Sequence, residues 1–211
     1  MSAEVSNPLF ARLFHHLCGR DRGQGERELR IELLADARGK VVEVGAGNGI
    51  SFEHYRATVT ELIAVEPEPY LRRQAVEAAA AAPVPVRVLD GTAAATGLPT
   101  AAADVVVVCG VLCTVPDQAA ALRELRRVLR RGGELRFYEH VRSRRPGFAR
   151  WQTRIDGLWS RTMGGCHTDR DTVAAIVDAG FIVERCRGFP FPAGARIYPV
   201  APRVLGIACN P

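Results

Sequence analysis

Short apolar runs, separated by stretches of helical spacing, set the main constraint on how this chain folds. Val41–Val44, Leu62–Val65, Val86–Leu89, Val105–Cys109 and Glu134–Tyr138 each read as a strand. Their apolar residues follow one another instead of alternating with polar ones, the pattern of strands covered on both faces. Helical spacing falls near residues 50–56, 69–81 and 117–130. In the last of these Leu122, Leu125, Val128 and Leu129 share one side, and Gly132-Gly133 stops the helix. Strand and helix alternating through five rounds predict an α/β fold on a parallel, doubly wound sheet.

The two ends of the chain depart from this rhythm. Residues 5–18 place Leu9, Phe10, Leu13, Phe14 and Leu17 on one helical face, as in a helix that packs on a core or closes over a site. Residues 19–28 are polar with three glycines and read as a linker, and a second helix runs to about Arg38. Residues 1–38 are therefore expected to form an N-terminal helical lid on a main domain of residues 39–211. After Tyr138, residues 140–167 are rich in Arg, Trp and Gly and give no clean strand. They read either as an acceptor-binding insertion or as a structural cover over the sheet. Thr168 is placed to cap a helix reaching about Ala179, with Asp171 as its partner and Gly180 as its stop. Phe181–Cys186 and Arg203–Cys209 then read as two final strands.

At 211 residues, 47% of them hydrophobic, the chain is long enough to fold on one core without disulfides or a structural metal. The formal charge of +5 comes almost wholly from arginine. The densest group (Arg142, Arg144, Arg145, Arg150 and Arg154) lacks interleaved aromatics, so it reads as a solvated face or a surface for an anionic substrate or membrane. No nucleic-acid partner is expected. The six cysteines form no CxxC pair, and Cys109–Cys113 has no second pair to complete a zinc site. No metal is expected, and the thiols read as mostly buried in a reducing compartment. No run of eighteen apolar residues and no signal-peptide core are present, so a cytoplasmic protein without an integral membrane segment is expected.

Glu43-Val44-Gly45-Ala46-Gly47-Asn48-Gly49 lies directly after the first strand and before a helix. Glycines there let the backbone turn tightly and approach a ligand closely. The spacing is GxGxG, not the GxGxxG that seats a pyrophosphate on a helix N-terminus. An acidic residue just before the first glycine suits a cationic or amino group better than a diphosphate. Glu66 ends the next strand about 20 residues on, where a carboxylate can accept hydrogen bonds from both hydroxyls of a ribose. Asp90-Gly91-Thr92-Ala93 ends the third strand. A ligand lying across these strand ends would meet adenine at Thr92 or at the Ala93 amide; Asp90 either contributes or closes the turn.

Together with Leu125-Arg126-Arg127-Val128-Leu129-Arg130-Arg131-Gly132-Gly133, these elements resemble the class I S-adenosylmethionine-dependent methyltransferases. Arg131 stands where proline is usual in that family. The resemblance implies a Rossmann-like, seven-stranded sheet whose last strand runs antiparallel, with S-adenosyl-L-methionine as cofactor. It places cofactor contacts at Glu43, Gly45, Gly47, Gly49, Glu66, Pro67, Gly91, Thr92 and Ala93, with Cys109 beneath the methionine portion. A narrower resemblance rests on Phe52-Glu53-His54-Tyr55, Val65-Glu66-Pro67-Glu68-Pro69, Val111-Leu112-Cys113-Thr114-Val115 and Phe137-Tyr138-Glu139-His140-Val141, with Trp159, Gly164-Gly165-Cys166 and Arg170 further on. These look like the methyltransferase-like thiol S-methyltransferases of the type 11 group. Small thiols are their acceptors, and their membrane-bound members carry an N-terminal hydrophobic anchor, which is not legible here.

Methyl transfer from a sulfonium needs little beyond alignment and exclusion of water. A base is needed only if the acceptor must lose a proton, and a thiol of pKa about 8.5 is mostly protonated at neutral pH. His140, at the carboxyl edge after the fifth strand, is one candidate; otherwise it is a polar residue satisfied by Glu139 or water. Asp156 and His167, in the segment that interrupts the rhythm, are further candidates. The small-molecule acceptor is a thiol, or a nitrogen, oxygen or carbon of a lipid, quinone or other metabolite. A protein that binds the cofactor without turnover is the non-enzymatic alternative. A nicotinamide dehydrogenase would share the fold and Glu66, but needs GxGxxG and a second dinucleotide half.

Overall fold

The computed structural model describes Arg12, residues 24–195 and residues 197–211, so the stripe at 5–18, and with it the expected lid helix, lies outside the described residues. Seven strands form one sheet: β1 (Gly39–Val44), β2 (Val59–Val65), β3 (Val86–Leu89), β4 (Ala103–Cys109), β5 (Leu129–His140), β6 (Ile182–Pro190) and β7 (Pro202–Cys209). Their order is β3-β2-β1-β4-β5-β7-β6. β7 runs antiparallel to both β5 and β6, and the pairs from β3 across to β5 are parallel. The strand order reverses between β1 and β4, and in such a sheet the crevice outside the strand ends at that point is where ligands lie.

The apolar runs are continuous because both faces are covered. Val42, Val44, Val106 and Val108 belong to one core with Leu122, Leu125 and Val128 of α3 (Gln118–Val128) and Ile176 of α5 (Thr172–Asp178). Val41, Leu62, Val105 and Val107 belong to the other, with Leu29, Leu33 and Leu34 of α1 (Gln24–Leu34) and Ala75 of α2 (Pro69–Ala79). Successive side chains of a strand point to opposite faces, so neighbouring valines serve different cores.

Four sequence expectations change in detail. α1 begins at Gln24, inside the stretch read as a linker. α3 ends at Val128 because Leu129 turns extended (φ −77°, ψ 130°) and pairs with Ala103 of β4. Residues 146–162 form a 17-residue helix, α4, entered through Pro146. Thr168 does not cap α5: Asp171 does, accepting from the Ala174 amide at 3.1 Å. Among the described residues no helix is long and apolar enough to cross a membrane.

Candidate functional site

The glycine loop leaves β1 at the reversal point. Gly45, Gly47 and Gly49 have φ of 70°, 60° and 79°, a region that penalises any Cβ. At Gly45 a Cβ would also strike Val111 in the loop after β4, so the two strand ends meet with no room for a side chain. The loop is held from β2. Glu66, 4% exposed, accepts from the Gly47 amide at 2.7 Å and from the Glu68 amide at 3.0 Å. Burial pushes its carboxyl above the ordinary range, against those two hydrogen bonds. Beneath the loop Glu43, also buried, accepts from the Tyr55 hydroxyl at 3.0 Å, and burial raises it likewise. The Pro67 carbonyl accepts from Arg72 at 2.9 Å, which ties the segment after Glu66 to α2.

These residues fit a sulfonium nucleoside. A carboxylate has about four lone-pair directions, and the amides of Gly47 and Glu68 take two from Glu66, leaving two for a diol. At Gly110 (φ 69°), just after β4, nothing lies within 4 Å of where a Cβ would stand, so the crevice is open there. Cys109 beside it is pushed up to about 11 by burial, which keeps the thiol protonated and unsuited to act as a nucleophile. In the third strand's loop Asp90 is exposed and pairs with Arg72 at 3.1 Å. The Thr92 amide donates to the Ala95 carbonyl at 3.0 Å, and Ala93 is buried. Gly91 packs against Val65 with no space for a Cβ.

Glu139 repeats Glu66's device one strand pair away. Fully buried at the end of β5, it accepts from the amides of Val111 (2.9 Å), Leu112 (3.0 Å) and Cys113 (3.1 Å), fixing the loop after β4. Sequence reasoning gave it only a part in satisfying His140. The missed signal is the one used for Glu66, an acidic residue closing an apolar strand.

α4 and the residues after it lie on the carboxyl ends of β4 and β5. The Gln152 amide bridges Val141 and Pro199, Arg170 donates to the Leu112 carbonyl at 2.7 Å, and the His167 amide donates to that of Cys113 at 2.8 Å. Asp156 and His167 come together: His167 Nδ1 and Asp156 Oδ2 are 2.7 Å apart. Asp156 Oδ1 also accepts from the Thr168 amide at 2.6 Å. Burial alone would raise Asp156, but its bonds from His167 and Thr168 hold the carboxyl below its ordinary value. A carboxylate on Nδ1 fixes the imidazole tautomer and leaves Nε2 as a proton acceptor. His140 stands apart from this pair, with Nδ1 3.2 Å from the sulfur of Cys166.

Comparison with known proteins gives four likenesses. The methyltransferase-domain family matches residues 42–137, from β1 into β5. The human thiol S-methyltransferase TMT1B is 32% identical over 195 residues, which cover 87% of this chain and 77% of the relative. The human thiol S-methyltransferase TMT1A is 28% identical over 95% of this chain and 84% of its own length. Among solved structures, an S-adenosylmethionine-dependent methyltransferase of Methanosarcina mazei superposes with a TM-score of 0.66 at 17% identity, covering 85% of this chain and 95% of that one; this likeness speaks to the fold alone.

Proposed function

Because the chain belongs to the class I S-adenosylmethionine-dependent methyltransferases, we propose that its acceptor is a small thiol, methylated on sulfur. The observation that carries this reading is the likeness, across 87% of the chain, to a relative named as a thiol S-methyltransferase. The Asp156–His167 pair supports it independently, since a thiol must lose its proton to become a good nucleophile.

When bound, the cofactor supplies a methyl group already activated on a sulfonium. The chain's own residues do the rest. On this reading Glu66 receives the ribose hydroxyls, and the amides and glycines of the Gly45–Gly49 loop, with Glu43 beneath, shape the crevice for the amino acid portion. Thr92 and Ala93 border the adenine, and Pro67 and Gly91 set the backbone on either side. Glu139 holds the loop after β4 so that its backbone keeps one shape during turnover. His167 Nε2 takes the acceptor's proton, and Asp156 holds the ring and balances the imidazolium that forms. α4 and residues 163–170 close the acceptor side against water; residues 140–167 are thus the acceptor-binding segment.

The test is release of S-adenosylhomocysteine against a panel of small thiols, amines and phenols. Thiols are expected to react, and His167→Gln to lower kcat/KM for them by about 10²–10⁴-fold with unchanged affinity for S-adenosylhomocysteine. Residual turnover of the variant should rise with pH as the free thiol ionises. Amines or phenols reacting while every thiol fails would overturn the thiol reading.

A further inference from the structure

Three side chains from separate segments meet at the carboxyl edge of the sheet. Cys113 comes from the loop after β4, His140 from the end of β5, and Cys166 from the turn after α4. The sulfurs of the two cysteines and a ring nitrogen of His140 all lie within 4.8 Å of one another. Cys113 is fully buried, and Cys166 is 8% exposed. The two cysteines cluster with Val200, and Trp159 packs against that cluster. Neither the glycine loop nor the Asp156–His167 pair uses these groups.

We propose that Cys113, His140 and Cys166 form a binding site for one thiophilic d10 cation, with zinc(II) the best fit. Two thiolates and an imidazole are the donor set that borderline-soft cations select over calcium or magnesium. A tetrahedral zinc with metal–sulfur bonds of about 2.3 Å and metal–nitrogen bonds of about 2.0 Å sets its donors roughly 3.5–3.8 Å apart. His140 Nδ1 lies 3.2 Å from the Cys166 sulfur and no two donors are more than 4.8 Å apart, so small side-chain shifts suffice to reach that spacing. Charge favours the same ion. Two thiolates and one dication sum to zero, so the buried cluster holds no uncompensated charge, and the two thiol protons pass to solvent on binding. The buried indole N–H of Trp159 stands beside Cys166 as a donor suited to a thiolate. Three protein donors leave one tetrahedral position for an outside ligand, the arrangement of open zinc sites.

Cysteine spacing conceals such a site. Its donors are far apart along the chain and belong to no CxxC pair, and only the parallel β4–β5 pairing with α4 laid over it brings them together.

Cobalt(II) titration of the intact, metal-stripped chain tests the proposal, because thiolate ligands give cobalt an intense charge-transfer band that carboxylates and imidazoles do not. One equivalent should develop the band and zinc should bleach it. Cys113→Ser and Cys166→Ser should each lose most of it, His140→Asn should weaken apparent affinity at least tenfold, and Cys186→Ser, at an exposed cysteine, should leave it intact. Binding of S-adenosylhomocysteine reports that each variant is folded; should Cys113→Ser fail that check, Cys166→Ser decides. The donors of Asp156, His167 and Asp169 also lie within 4.8 Å of one another, and cobalt held there would show no thiolate band. A folded wild-type chain without the band, or a band that survives loss of both Cys113 and Cys166, would overturn the proposal. The readout does not depend on which acceptor is methylated.

Discussion

At the scale of single residues, the site is organised by carboxylates that hold backbone before they meet any ligand. Glu66 keeps the Gly47 amide at 2.7 Å and the Glu68 amide at 3.0 Å, and Glu139 does the same for three successive amides after β4. On the proposed binding mode, replacing Glu66 has two effects: the ribose would lose its acceptor, and the amides of Gly47 and Glu68 lose theirs. Glu66→Ala is expected to weaken S-adenosylhomocysteine by about 1.5–3 kcal/mol, the cost of unsatisfied hydrogen-bonding groups, or roughly tenfold to more than a hundredfold in Kd by calorimetry. Glu66→Gln keeps one oxygen but turns an NH2 toward a donor, so it should fall between the two. Unchanged affinity in both variants would show that the nucleoside lies elsewhere. The sequence singles out Glu66 because it follows a glycine loop at a known interval. Glu139 closes its strand in the same way but follows no glycine loop, and its three donors come from a loop nearly thirty residues earlier that only strand pairing brings near.

Between elements, polar ties lock the helices to the loops that border the site. Glu124 of α3 is one such tie. It accepts from the Thr96 hydroxyl at 2.6 Å and amide at 3.0 Å, and pairs with Arg127 at 2.7 Å, while Arg127 also donates to the Leu98 carbonyl at 2.7 Å. Arg127 and the Thr96 bonds hold the Glu124 carboxyl down to about 2, from an ordinary 4.5. A depressed carboxyl stabilises the fold at pH values above its unfolded value, and that contribution is lost as pH falls from about 4.5 toward 2. Glu124 is 12% exposed and Arg127 38%, so solvent screening reduces the gain to about 1–2 kcal/mol. Glu124→Gln should be less stable than wild type by that amount at neutral pH, with the gap closing as pH falls through 4 to 3 in urea titrations. A gap independent of pH would remove the ionised pair as its cause. Element positions were legible wherever periodicity was strong, as in α3 and the central strands. α4 was not, because its buried residues are Ala149 and Gln152, which leave no apolar stripe to read. The capping error at Thr168 arose because Asp156, on the helix just before it, accepts from both the amide and the hydroxyl of Thr168.

For the whole molecule, the cofactor crevice joins elements that the sheet alone would leave independent at their carboxyl ends. β1 and β4 pair in register up to Val44↔Val108, and β1 and β2 up to Val44↔Val65. Beyond those residues only loops continue, and they touch at Gly45–Val111 and Gly47–Glu66. A nucleoside lying across them would add contacts that exist only in the folded chain, so it should stabilise the entire cooperative unit and not one loop. At a ligand concentration 100 times Kd the gain is about 2.7 kcal/mol. For a domain of this size that corresponds to roughly 5–10 °C in Tm. S-adenosylhomocysteine should therefore raise Tm by that amount, with a shift that grows logarithmically in concentration. NAD should leave Tm unchanged, because the GxGxG turn offers no seat for a pyrophosphate. Glu66→Ala, melted at the same ligand concentration, should keep only the part of the shift that its weaker Kd allows, so calorimetric affinity and thermal shift must agree through one linkage relation. An equal shift with NAD, or a shift in Glu66→Ala as large as in the parent, would place the stabilising contacts somewhere other than the reversal point between β1 and β4.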